Sequence, residues 1–135
     1  MVAKRDKITL DYIIKHCKNI EEDLNGLTRE EFDKDRKTQN SLCFDILQIG
    51  ELVKSLSPNL LNEHDDIPWK KIKGMRDWVV HGYKSIDMDT IWDTSHKDIK
   101  PLRKCCELIL EVERIKEGEK EDINFMPQFD PNEKW

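Results

Sequence analysis

One short stretch of the chain, KKIKGMRDWVVHGYKSID, begins at residue 70 and gathers side chains suited to phosphate chemistry. It places Arg76, His81 and Tyr83 within eight residues. The first fifteen residues of the stretch hold five basic side chains and one acidic side chain, although the whole chain carries a net charge of -5. The sequence therefore predicts a local anion-binding site on an acidic protein.

Arginine and histidine together supply what RNA cleavage without a metal ion requires. The planar guanidinium of arginine binds phosphate oxygens in pairs. Imidazole, with an ordinary pKa of about 6.5, exchanges protons near neutral pH. RNA can be cleaved through its own 2′-hydroxyl when a base takes the hydroxyl proton, an acid protonates the leaving 5′-oxygen and a cation stabilises the phosphorane. Arg76 and His81 are therefore candidates for this chemistry.

Helical spacing decides which of these side chains can meet. Arg76 and His81 are five residues apart, or about 140° around a helix axis, so they do not share a face. Tyr83 is seven residues from Arg76 and lies only about 20° from alignment with it. Asp77 and His81 are four residues apart and can touch, which would orient the imidazole. Arg76 would then reach round with its long side chain, or meet a second copy of the motif across a symmetric interface.

The same residues also have a plainer interpretation. A run of lysines is more often a solvated helix face than an RNA contact, and a lone tyrosine such as Tyr83 is more often a packing residue. His81 would then be a helix-end histidine that interacts with the helix dipole. Spacing alone favours this plainer interpretation over a catalytic site.

Composition narrows the class of protein. A chain of 135 residues predicts one domain, and 38% charged against 37% apolar residues fits a helical bundle with wide solvated faces. Five glycines and five prolines are too few for the turns of an all-β fold. The four cysteines make no C-x-x-C pair and the four histidines are scattered, which predicts reduced core thiols, no metal site and no cofactor in a cytoplasmic protein. Neither a signal peptide nor a membrane-spanning run is expected.

Hydrophobic periodicity predicts an all-α fold, an up-and-down bundle of four or five helices. The first helix ends at Gly26, and Thr28 with Glu31 is a capping-box signal for the next helical start. A second long helix stops at Ser57 and Pro58, and the segment NLLNEHDD that follows is interpreted as a connection.

The second half of the chain continues the pattern with two more helices. The third helix begins at Asp66 and Pro68 and ends at Gly82. Asp87 is a good N-cap for the fourth, which Pro101 kinks or splits in two. Ten apolar residues form the predicted core: Ile13, Ile20, Leu42, Ile46, Ile49, Val53, Ile72, Val79, Ile91 and Ile109.

The apolar pattern fades near the end of the chain. It is lost by Gly118, and the remaining residues are mostly charged or polar. The sequence therefore predicts a bundle over residues 1–117 and a mobile or loosely docked tail over residues 118–135.

Three segments resemble the HepT-like branch of the HEPN domains. RDWVVHGY, at residues 76–83, resembles the R-x4-H-x-Y signature, in which the residue after arginine is commonly polar, as Asp77 is here. ILQIGELVKSLS, at residues 46–57, resembles a second-helix segment that often carries Ile-Gly-Glu. Residues 83–110 resemble the stretch after the motif, with Ile-Asp, then a tryptophan, then an Asp-x-x-Pro-Leu-like helix start. The resemblance covers roughly residues 10–112.

The resemblance implies a helical-bundle homodimer that acts as a metal-independent endoribonuclease toxin. Arg76 and His81 would be catalytic residues in a cleft between two protomers, with Asp77 in support. Tyr83 corresponds to the position that the family's partner antitoxin, a minimal nucleotidyltransferase, modifies with AMP. A bulky, negatively charged nucleotide beside the catalytic pair would repel an RNA phosphate. RNA phosphate would be gathered by four lysines: Lys70, Lys71, Lys73 and Lys84.

Two alternatives from other classes remain open at this point. The chain could be a non-catalytic helical module that docks a nucleotidyltransferase, or a plain structural dimer. The intact Arg76, His81 and Tyr83 favour a ribonuclease over the docking module. Only an RNA cleavage assay separates these two.

Overall fold

Amphipathic helices build the fold in the computed structural model, which describes residues 2–80 and 87–125, with side chains to residue 118 except at positions 78 and 80. Two of the helices have only six residues, α2 (Arg29–Lys34) and α4 (Pro58–Glu63). The others are longer: α1 (Lys4–Leu24), α3 (Arg36–Lys54), α5 (Trp69–Val80), α6 (Met88–Lys97) and α7 (Ile99–Phe125). The described residues contain no strand, so the predicted all-α helical bundle is confirmed.

The core lies where the long helices face one another. α3 packs against both α1 and α5, and α1 also packs against α7. Val79 is only half-buried at the edge of the core, so its prediction as a core residue is wrong. The other nine predicted core residues are buried: Ile13, Ile20, Leu42, Ile46, Ile49, Val53, Ile72, Ile91 and Ile109. Each such side chain contributes about 1.5–3 kcal/mol when it leaves water, which accounts for the helical faces that the sequence repeats.

Capping residues and a glycine lie at helix ends where the sequence predicts them. Gly26 follows the end of α1 with a φ of 73°, in the left-handed region that glycine adopts without strain. Thr28 accepts a hydrogen bond from the backbone N–H of Glu31, and the carboxylate of Glu31 accepts one from the backbone N–H of Thr28. Asp87 caps α6 by accepting from the N–H of Asp89 at 2.9 Å. These signals are local, which is why the sequence alone reveals them.

The segment after α3 differs from its interpretation as a plain connection. Residues 58–63 form α4, which begins with Pro58 in its first turn and Ser57 as its N-cap. The Ser57 hydroxyl accepts from the N–H of Leu60 at 3.3 Å, and Leu60 is buried. Asp6 of α1 accepts from both the N–H and the hydroxyl of Ser57, which holds the start of α4 against α1. A Ser-Pro pair is thus a start signal here as much as a stop signal.

The break near Pro101 falls three residues before the proline itself. α6 ends at Lys97, Asp98 forms the junction, and α7 begins at Ile99. Pro101 therefore lies in the first turn of α7, where its missing N–H needs no partner within the helix. At its far end α7 continues to Phe125, so helical backbone covers the first eight residues of the predicted tail. The boundary at residue 117 stays a prediction.

The four cysteines are free thiols. Cys17, Cys43 and Cys106 are buried and Cys105 is partly buried. Burial away from water raises the pKa of Cys106 to about 12. Burial, and then the neighbouring Cys106, also raises the pKa of Cys17 well above its ordinary value. Cys17 and Cys106 therefore stay protonated at neutral pH and behave as small apolar core residues.

Candidate active site

The second half of α5 carries the described part of the Arg-His-Tyr motif. Trp69, Ile72 and Met75 are buried on one face of α5, which fixes how the helix is turned toward the core. Met75 is fully buried on this face. Arg76 is the next residue in the chain, and its side chain is 33% exposed. Arg76 therefore lies at the boundary between core and solvent, with an apolar stem that can pack and a charged end that can reach a ligand.

Gly50 of α3 allows the backbone of α5 to come very close at Arg76. Gly50 is buried. A Cβ atom at position 50 would lie 2.7 Å from the Cβ of Arg76 and 3.0 Å from its backbone nitrogen. Any larger residue would push α5 away from α3, because the atoms that it would meet are the Cβ and the backbone of Arg76 and not the end of a flexible side chain. Gly50 thus determines how closely the backbone of Arg76 approaches α3.

Two carboxylates contact the guanidinium of Arg76. The Nε atom forms an ion pair with Oε1 of Glu51, the residue after Gly50 in α3. The Nη1 atom lies 3.3 Å from Oδ1 of Asp77. Nε is buried and has no partner of good hydrogen-bond geometry among the described residues, so the Glu51 contact is a charge pairing rather than a directed hydrogen bond.

The three lysines at the start of α5 have different surroundings, although all three are exposed. Nζ of Lys71 lies 3.2 Å from Oδ1 of Asp98 at the α6–α7 junction. On α5, Lys71 is about 140° and Lys70 about 120° around the axis from Arg76, whereas Lys73 is only about 60° away. Lys73 is therefore the best placed of the three to share a phosphate with Arg76. Their role in RNA binding stays a prediction.

His81, Tyr83 and Lys84 lie outside the described residues. α5 carries the described chain to Val80, directly before His81. The predicted contact between Asp77 and His81, the catalytic role of His81 and the modification of Tyr83 therefore stay predictions. Within the described residues, the site consists of Arg76, Asp77 and the parts of α3 that contact them.

Two properties of the described residues bear on metal binding and on membrane insertion. Nowhere in residues 2–80 and 87–125 do three or more described His, Cys, Asp or Glu side chains gather as a possible metal-ion site. None of the helices in the described part of the chain is long and apolar enough to cross a membrane.

Most of the chain matches a known family. The profile described as Ribonuclease HepT-like covers residues 13–109, from the middle of α1 to the first half of α7. The chain belongs to the HepT-like family. The match includes Arg76 and the α3 residues that contact it, and the resemblance of the chain to HepT-like proteins is confirmed.

Curated relatives support the same HepT-like assignment over nearly their whole lengths. A protein of Caldanaerobacter subterraneus subsp. tengcongensis named "Putative RNase TTE0752" is 34% identical over 105 residues, which cover 78% of this chain and 94% of that protein. A Thermococcus cleftensis protein named "Probable ribonuclease HepT" is 32% identical over 102 residues, which cover 76% of this chain and 93% of that protein. No solved structure gives a significant match to the chain.

The sequence alone assigns no role in the site to one segment of α3, Ile49-Gly50-Glu51. Ile49 is fully buried in the core, Gly50 receives the backbone of α5, and Glu51 pairs with Arg76. A signal for this was present, because glycine costs about 1 kcal/mol inside a helix and therefore indicates a close contact when it lies in a strongly periodic one. The residues around Gly50 do not reveal which helix makes this close contact.

Proposed function

We propose that this HepT-like protein is an endoribonuclease that cleaves RNA through the 2′-hydroxyl of its substrate. A base takes the proton of the 2′-hydroxyl, and the oxygen attacks the adjacent phosphorus. The bond from phosphorus to the 5′-oxygen then breaks, and an acid protonates that oxygen, which leaves a 2′,3′-cyclic phosphate and a 5′-hydroxyl. His81 moves these protons, and Arg76 stabilises the extra charge on the phosphorane oxygens.

One observation carries this proposal. The guanidinium of Arg76 is held against two carboxylates on a half-buried helix face, directly before the stretch that contains His81. An arginine fixed in this way is suited to a phosphate in a defined position, because less side-chain freedom is lost on binding. The names of the relatives, which designate RNases, support RNA as the substrate.

Cleavage should persist when divalent metal ions are removed. An RNA oligonucleotide incubated with the purified protein and excess EDTA is expected to give the same fragments, with 2′,3′-cyclic phosphate ends, as in buffer with Mg²⁺. The DNA oligonucleotide of the same sequence should stay intact, since it lacks the attacking hydroxyl. Loss of cleavage on chelation, with recovery when Mg²⁺ is added back, would contradict the proposed mechanism.

We propose that the active form is a two-fold dimer. Five residues separate Arg76 from His81 in the sequence, which corresponds to about 140° around a helix axis, and a symmetric pair of motifs would bring arginine and histidine from different protomers together. Light scattering at micromolar concentration should then give twice the chain mass of 16.1 kDa. A monomer under the conditions in which RNA is cleaved at full rate would show that one copy of the motif is sufficient.

We propose that the protein is the toxin of a toxin–antitoxin pair in which a minimal nucleotidyltransferase transfers AMP to Tyr83. The added phosphate places negative charge on the residue seven positions after Arg76, where it competes with RNA. The hydroxyl need not take part in cleavage, because an ordinary tyrosine pKa of about 10 is far from neutral. Modification therefore separates regulation from catalysis.

Tyr83→Phe is expected to keep ribonuclease activity and to escape neutralisation. The chain has two tyrosines, and the other, Tyr12, is half-exposed on α1, so Tyr12→Phe is a matched control. When each variant is produced with the partner enzyme, intact mass should show added AMP on wild type and Tyr12→Phe but not on Tyr83→Phe. Cells with Tyr83→Phe and the partner should grow worst. Equal growth with retained cleavage in vitro would indicate inhibition by docking instead.

A further inference from the structure

The carboxylate of Glu51 meets Arg76 from a different helix than the one that carries the motif. Gly50 brings the backbones of α3 and α5 together at Arg76, so the next residue of α3 is delivered to the side of the arginine. Glu51 then pairs with the buried Nε atom. Asp77 contacts the other side of the guanidinium, at Nη1, from α5 itself.

We infer that Glu51 is a positioning residue that acts through Arg76 in RNA cleavage. This inference rests on the proposed ribonuclease function of the same site. By pairing with Nε from α3, Glu51 keeps the guanidinium beside that helix. A side chain with as many rotatable bonds as arginine would otherwise sample several orientations before each reaction.

The two carboxylates do different things to the arginine. Asp77 is exposed and contacts Arg76 from the same helix, one residue away. Glu51 is anchored in α3, whose position relative to α5 is fixed by the contact at Gly50. The contact from α3 therefore ties the guanidinium to a second helix of the bundle. A second carboxylate beside the arginine also weakens its attraction for phosphate in the ground state, since like charges repel.

These opposing effects predict a distinct kinetic signature. Glu51→Gln keeps the shape of the side chain but removes its charge, so the guanidinium is no longer held. We expect kcat to fall by about tenfold to 10²-fold, as misplacement of a reacting group does, while KM stays unchanged or decreases because a negative charge has been removed. Substitution of a residue that only stabilised the fold would lower the melting temperature and leave kcat and KM of the folded protein unchanged.

Two matched controls are available in the same chain. Glu111→Gln removes a carboxylate that pairs with the exposed Arg114 at 2.6 Å on α7, and should leave kcat and KM unchanged. Gly50→Ala tests the same positioning from the backbone, because its Cβ would lie 2.7 Å from the Cβ of Arg76, and should also lower kcat. Gly74→Ala on α5, where a Cβ would meet nothing within 4 Å, should not.

The Nε–H signal of Arg76 in a ¹H–¹⁵N spectrum gives a readout that does not depend on cleavage. It is assigned by its loss in Arg76→Ala. In the wild type this proton should exchange slowly with water, and in Glu51→Gln the signal should shift and broaden. In an Arg76→Ala background, adding Glu51→Gln should cost no further activity, since the two residues act as a unit.

Each outcome decides the proposal. A Glu51→Gln variant whose kcat stays within about twofold of wild type, or exceeds it, with an unchanged Nε–H signal would overturn the positioning role; a higher kcat would make Glu51 a competitor of RNA. Cleavage by the wild type without any effect of Glu51→Gln rejects the positioning role alone. Absence of cleavage by the wild type rejects the proposed function, and the Nε–H signal then decides by itself whether Glu51 fixes the arginine.

Discussion

Arg76→Ala should reduce the rate of RNA cleavage by about 10²–10³-fold, the usual effect of removing one group that stabilises developing charge. The guanidinium is the positive group that the described site presents beside Asp77 and Glu51, and alanine supplies nothing in its place. Arg76→Lys should recover little of this rate. An ammonium carries the charge but lacks the planar fork, so it cannot pair with Glu51 through one edge and bind phosphate through another. Single-turnover cleavage of an end-labelled RNA measures the effect.

The fold should survive this substitution. Glu51 is 44% exposed, so water can solvate its carboxylate once the arginine is gone. Arg114→Ala is the matched control, because Arg114 is 76% exposed on α7 and pairs only with Glu111 among the described residues. It should cleave RNA at the wild-type rate. If Arg76→Lys cleaved as fast as the wild type, only a positive charge would be required at this position, and the orientation of a guanidinium would have no importance.

His81→Ala should lower cleavage by at least about 10²-fold, because a general acid or base in the transition state contributes 10²–10⁴-fold. The rate of the wild type should depend on pH through a group that titrates near neutrality, and the variant should lose that dependence. Added imidazole should restore part of the rate if the cavity left by the side chain is accessible. A pH–rate profile with and without imidazole measures both effects.

The control for His81 is His96, an exposed histidine of α6. His96 lies on α6, where its Nδ1 is 2.8 Å from the carbonyl oxygen of Trp92, and His96→Ala should leave the pH–rate profile unchanged. His81→Ala should remain folded, since a histidine at the helix end that the sequence predicts contributes at most about 1–2 kcal/mol to stability. A His81→Ala variant with the pH profile and rate of the wild type would exclude this residue from proton transfer and favour a docking module without catalysis.

Local chemistry accounts for what the sequence predicts correctly about the fold. Helical periodicity and caps act over a few residues, so the buried face of α3 and the starts of α2 and α6 can be deduced directly. The boundaries are less determined. Ser57 and Pro58 are compatible with a stop or a start, and the structure uses them to begin α4. Pro101 breaks no hydrogen bond in the first turn of α7, so the junction falls at Asp98 instead.

The candidate site is predictable only in part because it joins residues that are distant in the sequence. Arg76 and Asp77 are recognisable from their types and their order. Glu51 is not, since its role arises from the packing of α3 on α5 across a turn and the short helix α4. Gly50 in a periodic helix indicates that something approaches it closely, but the sequence does not say that Arg76 is the neighbour. Tertiary packing supplies that pairing.

The reactivity of the buried cysteine thiols reports how often the helices of the bundle separate. Alkylating reagents and peroxide attack the thiolate, which burial suppresses at Cys17 and Cys106. These two cysteines lie on α1 and α7, so they can react only when those helices come apart, whereas Cys105 is already partly exposed. The delay between labelling at Cys105 and labelling at Cys17 and Cys106 therefore measures the spontaneous opening of the α1–α7 contact.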